Sequence, residues 1–384
     1  MTDVKALHVM VIFGGVSTEH KISCRSAYTI IRALKDAGCE VSPVGITESG
    51  QWLAYRADLE SLLSGEWETA AVLAAGDHPT HLYGAPGYSV RDFLVSLAGG
   101  LPDVVYPAVH GINCEDGNLQ GLLELSGIPY VGSGVTASAL AMNKARCKSF
   151  LQAFDIPQVP HLVIDREQLS GGKKEDVLKQ VATEIGFPCF LKPANGGSSV
   201  GTAAVQTAAD LPVALAEVAQ YDREIVVEAF VEARELELSI LGNRDLTVAE
   251  VGEIVKAEDV LYYDYETKYL SADKGGISLP AKIDPALADR IRDLGVKIYR
   301  ALDCSGLARV DFFLEQETGR LYFNEINTLP GFTRISIYPR ALEQQGYPLP
   351  NLTKKLCELA IEAKAADGRR YLLPEPGPEN EGQL

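Results

Sequence analysis

The stretch "ALHVMVIFGG", residues 6–15, decides how the first third of the chain is read. It is nearly all apolar, too short to cross a bilayer, and stops at Gly14-Gly15. No basic leader precedes it and no small-residue cleavage site follows, so it reads as a strand closed by a glycine turn and not as a signal peptide. "SAYTIIRALKDAG" (26–38) carries apolar residues at helical spacing and ends in Gly38, a natural helix stop. "CEVSPVGI" (39–46) and "PDVVYPAVHG" (102–111) return as strands. Strands alternating with helices predict a parallel sheet covered on both faces, ending near Gly132-Ser133-Gly134. Residues 1–134 are read as an N-terminal α/β domain.

Past that point the pattern changes. "ASALAMNKARCKSFLQAF" (137–154) predicts one helix, and "PCFLKPANGGSSVGTAAV" (188–205) a strand, a glycine-rich loop and a strand. "DREIVVEAFV" (222–231) is a strand leading into a connector, which closes a central domain over 135–231. "ELELSILG" and "TVAEVGEIV" alternate as antiparallel strands do. "PALADRIRDLGVKIYRALDCSG" (285–306) predicts an amphipathic helix with a glycine stop, and "LARVDFFLE" with "GRLYFNEIN" a hairpin, within a C-terminal domain over 232–372. Residues 373–384, rich in Pro, Glu and Gly, read as a disordered tail.

A chain of 384 residues exceeds one ordinary core, which agrees with several domains. Its formal charge of −17 argues against nonspecific nucleic-acid binding, which needs Lys and Arg against phosphates. The absence of a long apolar run predicts no membrane span. Seven scattered cysteines without a Cys-x-x-Cys pair favour reduced thiols and a cytoplasmic location.

Four constellations carry chemistry. In "KPANGGSSVG" (192–201) a lysine leaves a strand and meets glycines and hydroxyls, a cradle for an anion; an ordinary glycine hairpin remains open. In the hairpin, period two puts Arg309 and Asp311 on one strand face and Glu325 and Asn327 on one face of the next. Two carboxylates and an amide oxygen there suit magnesium, with Arg309 offsetting negative charge; a surface salt bridge is the plainer alternative. In "GGVSTEH" (14–20) position 17 is Ser, so the dinucleotide fingerprint is not met. Glu19 lies at the carboxyl edge of the sheet, where it either caps the next helix or grips an ammonium group. "YYDYETKYLS" (262–271), followed by Gly275-Gly276, reads as a lid or as an exposed tyrosine-rich loop.

In this order the chain resembles the D-alanine–D-alanine ligases of the ATP-grasp superfamily. The matching stretches are "FGGVSTEHKIS", "VHGINCEDGNLQG", "PYVGSGVTASALAMNK", "LKPANGGSSVG", "YYDYETKYL", "ARVDFFL" and "NEINTLPGFT", from residue 13 to about 340. The resemblance implies an α/β fold, with a parallel-sheet N-terminal domain before a two-part ATP-grasp module of mixed and antiparallel sheets. It implies that ATP phosphorylates one D-alanine carboxylate and that a second D-alanine attacks the acyl phosphate, feeding peptidoglycan synthesis. Lys144, Lys192 and Ser199 would bind ATP phosphates, Glu228 and Glu235 its adenosine side, and Lys268 the transferred phosphoryl group. Glu19 would hold the first ammonium, linked to Ser198 and Tyr269. Arg309 and the backbone of Gly331 would stabilise the oxyanion, and Ser336 would bind the second carboxylate. Asp311, Glu325 and Asn327 would hold two Mg2+ ions, with Mn2+ able to substitute.

His110 in the "HG…EDG" segment is either a core histidine or a substrate contact. Arg334 and "KISCRSA" depart from the family pattern at the amino-acid pockets. The Lys268-Tyr269 pair fits a dipeptide former; a D-serine acceptor is the nearest alternative, with D-lactate or another ATP-grasp carboxylate–amine ligase more distant. A catalytically silent nucleotide binder would be expected to have lost Arg309 or a magnesium ligand, and all four are present. The family also implies a homodimer.

Overall fold

The computed structural model describes residues 6–75, 89–256, 275–333 and 335–367. Lys268, Tyr269, Arg334 and the tail from 373 lie outside the described residues.

The first sheet contains β1 (His8–Gly14), β2 (Glu40–Ile46), β3 (Trp52–Ala54) and β4 (Val104–Pro107), in the order β3-β2-β1-β4. β1 is buried along its whole length and pairs in parallel with β2 and β4, as its apolar run predicts. β3 was not legible as a strand; it adds antiparallel to β2 at the edge. Gly14 has φ 84°, and a Cβ there would lie 2.1 Å from the Ile46 carbonyl oxygen, so only glycine permits the turn. Ser23 then donates to the Ala108 carbonyl at 2.6 Å and accepts the Gly14 N–H at 2.8 Å. Two strands are thereby tied to the helix His20–Asp36, which begins just after Glu19. Gly38 follows that helix with φ 81°, as its position predicts.

The segment 137–154 is two helices, Val135–Met142 and Lys144–Gln152, not one. Asn143 breaks it with extended backbone, pairs with Asn195 as a β-bridge, and its side chain accepts the Arg146 N–H at 2.9 Å. Asparagine competes with a helix in this way because its side chain substitutes for a backbone acceptor. The break delivers the Lys144 N–H to the Ala194 carbonyl, 2.8 Å away, beside the glycine-rich loop.

The second sheet is antiparallel: β5 (His161–Asp165), β6 (Cys189–Pro193), β7 (Ala203–Val205) and β8 (Glu224–Ala229), in the order β5-β8-β6-β7. The third holds β9 (Ala233–Leu241), β10 (Thr247–Val248), β11 (Gly252–Lys256), β12 (Gly275–Ser278), β13 (Leu307–Glu315) and β14 (Leu321–Asn327). Its order is β12-β11-β9-β13-β14, with β10 also on β9, and every pairing is antiparallel. Between these strands the helix Pro285–Ala301 ends at Leu302, and Asp303 rather than a glycine takes the left-handed position, φ 58°.

Packing does not follow chain order. Ala137, Ala141, Cys147 and Leu151 from the two short helices bury against Phe312, Phe323 and Ile326 of the third sheet, not against the second. The C-terminal helices Ile337–Gln344 and Leu349–Ala366 contribute Tyr338, Leu342, Leu352 and Leu356 to the core of the first sheet. Lys364 reaches Glu124 across that contact at 3.2 Å. All seven cysteines are buried and none forms a disulfide. No helix among the described residues is long and apolar enough to cross a membrane.

Candidate active site

The hairpin β13–β14 sets the floor of the site. Arg309 lies opposite Asn327 and Asp311 opposite Glu325, so the four polar side chains predicted to share a face do share one. Val310, Phe312 and Ile326 fill the other face, which is buried. The Arg309 guanidinium donates twice to Asp311, Nε to Oδ1 and Nη2 to Oδ2, both at 2.7 Å. It also lies 3.1 Å from Glu237 Oε2 on the neighbouring β9. Asn327 Nδ2 completes the set by donating to Asp311 Oδ2 at 3.0 Å. The Arg309–Asp311 pair is largely buried, so the surface salt bridge is excluded. A bidentate pair of this kind fixes orientation as well as charge.

Opposite this floor stands the glycine–serine loop. Ser198 and Ser199, not the preceding glycines, take the left-handed backbone, at φ 51° and 58°. Strain of this kind at non-glycine residues gathers at functional sites. The Ser198 hydroxyl donates to Glu19 Oε1, 179 residues away in the chain. Glu19 occupies the cap position of the helix His20–Asp36 but makes no side-chain cap bond, so the capping alternative fails. A Cβ on Gly197 would come within 2.7 Å of Glu19 Oε2, which is why the loop is glycine there.

Lysines approach from behind. Lys144 donates to the Gly196 carbonyl at 2.6 Å and lies 3.4 Å from Glu325 Oε2. Lys192 lies 2.7 Å from Glu228 Oε2, and Lys148 2.8 Å from Glu228 Oε1. Burial alone would raise the Glu228 pKa, but the two ammonium groups outweigh it and hold the carboxyl well below the ordinary range. Glu235 projects from β9 at the level of Phe313, two residues before Glu237 on the same face. Ser336 accepts the Thr333 N–H at 3.1 Å, and its Oγ would lie 3.1 Å from a Cβ placed on Gly331.

One cavity is therefore lined together by Glu19, Ser198, Lys144, Arg309, Glu325, Asn327 and Gly331. His110 also lines it, held at both ring nitrogens: Nε2 is 3.0 Å from Ser26 Oγ and Nδ1 3.1 Å from the Leu329 carbonyl. Burial lowers its pKa, against the opposing pull of Glu19.

Sequence reasoning missed four residues here. Glu237 was signalled by period-two acids in "ELELS", and Lys148 by its place one turn after Lys144. Asn324 had no such signal. Glu115 sits in the quoted "EDG" and ties the segment after β4 to the segment after β14, accepting the N–H of Gly111 at 2.7 Å and of Leu329 at 3.2 Å. Its carboxyl is pushed up to about 8, by burial first and by the charge of Glu19 second, while the two amide donors oppose the rise. Between the ordinary glutamate value near 4.3 and about 8, the folded chain holds a proton that the unfolded chain releases. This group's contribution to stability therefore falls as pH rises through that window. Urea midpoints measured from about pH 5 to pH 8 should decline less steeply for Glu115→Gln than for the wild type; equal slopes would refute the assignment.

Residues 8–133 match the model described as D-ala D-ala ligase N-terminus, and residues 150–358 the model described as D-ala D-ala ligase C-terminus. The chain is 41% identical over 373 residues to the D-alanine–D-alanine ligase of Ruminiclostridium cellulolyticum, covering 94% of this chain and 97% of that one. It is 42% identical over 368 residues to that of Acetivibrio thermocellus, covering 92% and 96%. Among solved structures it resembles VanG D-Ala:D-Ser ligase from Enterococcus faecalis, with TM-score 0.77, 32% identity and coverage of 93% and 100%. The D-alanine–D-alanine ligase from Coxiella burnetii gives TM-score 0.76 and 31% identity, with coverage of 94% and 96%. With both halves matched and the ATP-grasp architecture in place, the chain belongs to the D-alanine–D-alanine ligase family.

Proposed function

We propose that this enzyme joins two D-alanines into D-alanyl-D-alanine at the expense of ATP. The observation that carries the reading is the single cavity in which Glu19 and Ser198 face Arg309, Glu325 and Asn327. A carboxylate is a poor acyl donor, because its negative charge repels a nucleophile. Transfer of the γ-phosphoryl group of ATP to one D-alanine carboxylate gives D-alanyl phosphate and ADP. The amine of the second D-alanine, having lost a proton, attacks the acyl carbon, and inorganic phosphate leaves as the amide forms.

Glu19 holds the ammonium of the first D-alanine. Lys144 and Lys192 hold ATP phosphates, with Ser199 in the same loop and Glu228 and Glu235 on the nucleoside side. Arg309 and the N–H of Gly331 stabilise the oxyanion, and Ser336 meets the second carboxylate. Preorganised donors of this kind are worth most where water is excluded.

The carboxylates of Asp311 and Glu325 and the amide of Asn327 are hard donors that fit magnesium. Asp311 accepts two hydrogen bonds from Arg309, which fix the orientation of its carboxylate. When bound, magnesium or manganese would neutralise charge on the phosphate oxygens. Lys268 and Tyr269 belong to the same proposal. The dipeptide as a peptidoglycan precursor, the homodimer and the cytoplasmic setting are carried over from the family resemblance.

The test is phosphate release from ATP and magnesium with D-alanine, L-alanine, D-serine or D-lactate, and the mass of the product. Release dependent on D-alanine, with a dialanine product, is expected; equal release with L-alanine would defeat the reading. A mixed D-alanyl-D-serine product in preference to dialanine would move the chain to the acceptor class of VanG.

A further inference from the structure

We propose that Asn324 is a positioning residue for the triphosphate of the nucleotide, steering Lys192 from a β-bulge; this rests on the ligase reading above. The pairing of β13 with β14 slips by one residue, with Asp311 opposite Glu325 but Phe312 opposite Phe323. Asn324 is the extra residue. Phe323 and Ile326 are both buried in the core. In a regular strand those two positions would lie on opposite faces. The bulge lets both face inward and leaves two consecutive polar residues, Asn324 and Glu325, off the core, and re-aiming a side chain is what bulges beside active sites do.

Asn324 uses that freedom to accept from Lys192 Nζ at 3.1 Å. The same ammonium lies 2.7 Å from Glu228 Oε2, and 5.7 Å and 5.6 Å from the ring centroids of Phe190 and Phe313. An ammonium has three N–H donors. Glu228 and Asn324 direct two of them, which fixes where the third points. Charge explains why this acceptor is an amide. Lys148, Lys192 and Glu228 together carry one net positive charge, suited to an anionic phosphate. A neutral amide orients Lys192 without cancelling that charge, whereas a carboxylate would cancel it.

The experiment compares wild type, Asn324→Leu and Asn324→Asp as full chains. Calorimetry measures the Kd of a non-hydrolysable ATP analogue, and steady-state kinetics measures KM for ATP, KM for D-alanine, magnesium half-saturation and kcat. For N324L, Kd and KM for ATP should rise about fivefold to tenfold through loss of a hydrogen bond to a charged group, with the other three parameters within about twofold. For N324D the rise in Kd should be larger, since the acceptor is kept but the net charge is lost.

An unchanged Kd in both variants overturns the proposal. So does an effect that falls on magnesium half-saturation and kcat, because the residue would then be acting through Glu325. N324D is isosteric with the wild type, so it carries the test if N324L melts without cooperativity. A wild type that binds the analogue but releases no phosphate with D-alanine sinks the ligase reading, and the three Kd values still decide the role of Asn324.

Discussion

Replacing Arg309 with methionine is expected to lower kcat about 10²–10³-fold, the usual effect of removing a preorganised oxyanion donor. The geometry makes the loss double. The guanidinium that faces the cavity is also the partner of Asp311 at 2.7 Å and of Glu237 at 3.1 Å. Without it two buried carboxylates lie side by side on adjacent strands, paired in register as Asp311 and Glu237. Breaking a buried pair by removing one partner typically costs about 3–5 kcal/mol. Urea unfolding should therefore shift together with phosphate release. Arg309→Lys separates the two effects: it restores charge but not the bidentate fork, so stability should recover more than kcat does. A methionine variant within about threefold of wild-type kcat would remove Arg309 from the chemistry.

Glu228→Gln is the second large effect, and it acts on stability first. Glu228 is 2% exposed and Lys148 1%. The carboxylate holds both Lys148 and Lys192. Glutamine offers one weak acceptor to two buried ammonium groups, so a loss of about 3–5 kcal/mol is expected. The pH dependence has a definite sign. Because the folded pKa of Glu228 is depressed, its contribution is present above the ordinary carboxylate value of about 4.3 and lost as pH falls below it. The wild type should accordingly lose stability more steeply than E228Q on acidification below about pH 4.3, when urea midpoints of the two are compared. KM for ATP should rise as well, since Lys192 loses its anchor. Identical acid limbs, or a variant as stable as the wild type at neutral pH, would show that the lysines find other partners.

Local pattern alone determined a good deal about this chain. The apolar run ending in Gly14-Gly15, the alternation of strands with helices before residue 134, and the period-two hairpin carrying Arg309, Asp311, Glu325 and Asn327 were all readable. Each depends on neighbours two to four residues apart. Other features depend on partners far along the chain, which no local period encodes. Glu19 lies 179 residues from the serine that answers it. Glu115 lies 214 from the Leu329 amide it accepts. The C-terminal helices bury in the core of the first sheet and not against the hairpin that precedes them in the chain. Asn143 splits what reads as one helix because Asn195 pairs with it. Asn324 departs from the period itself, since one extra residue in β14 turns its side chain away from the core. Tertiary structure decided those matters because capping, bulging and long-range hydrogen bonding are settled by which groups meet in space after the sheets have formed.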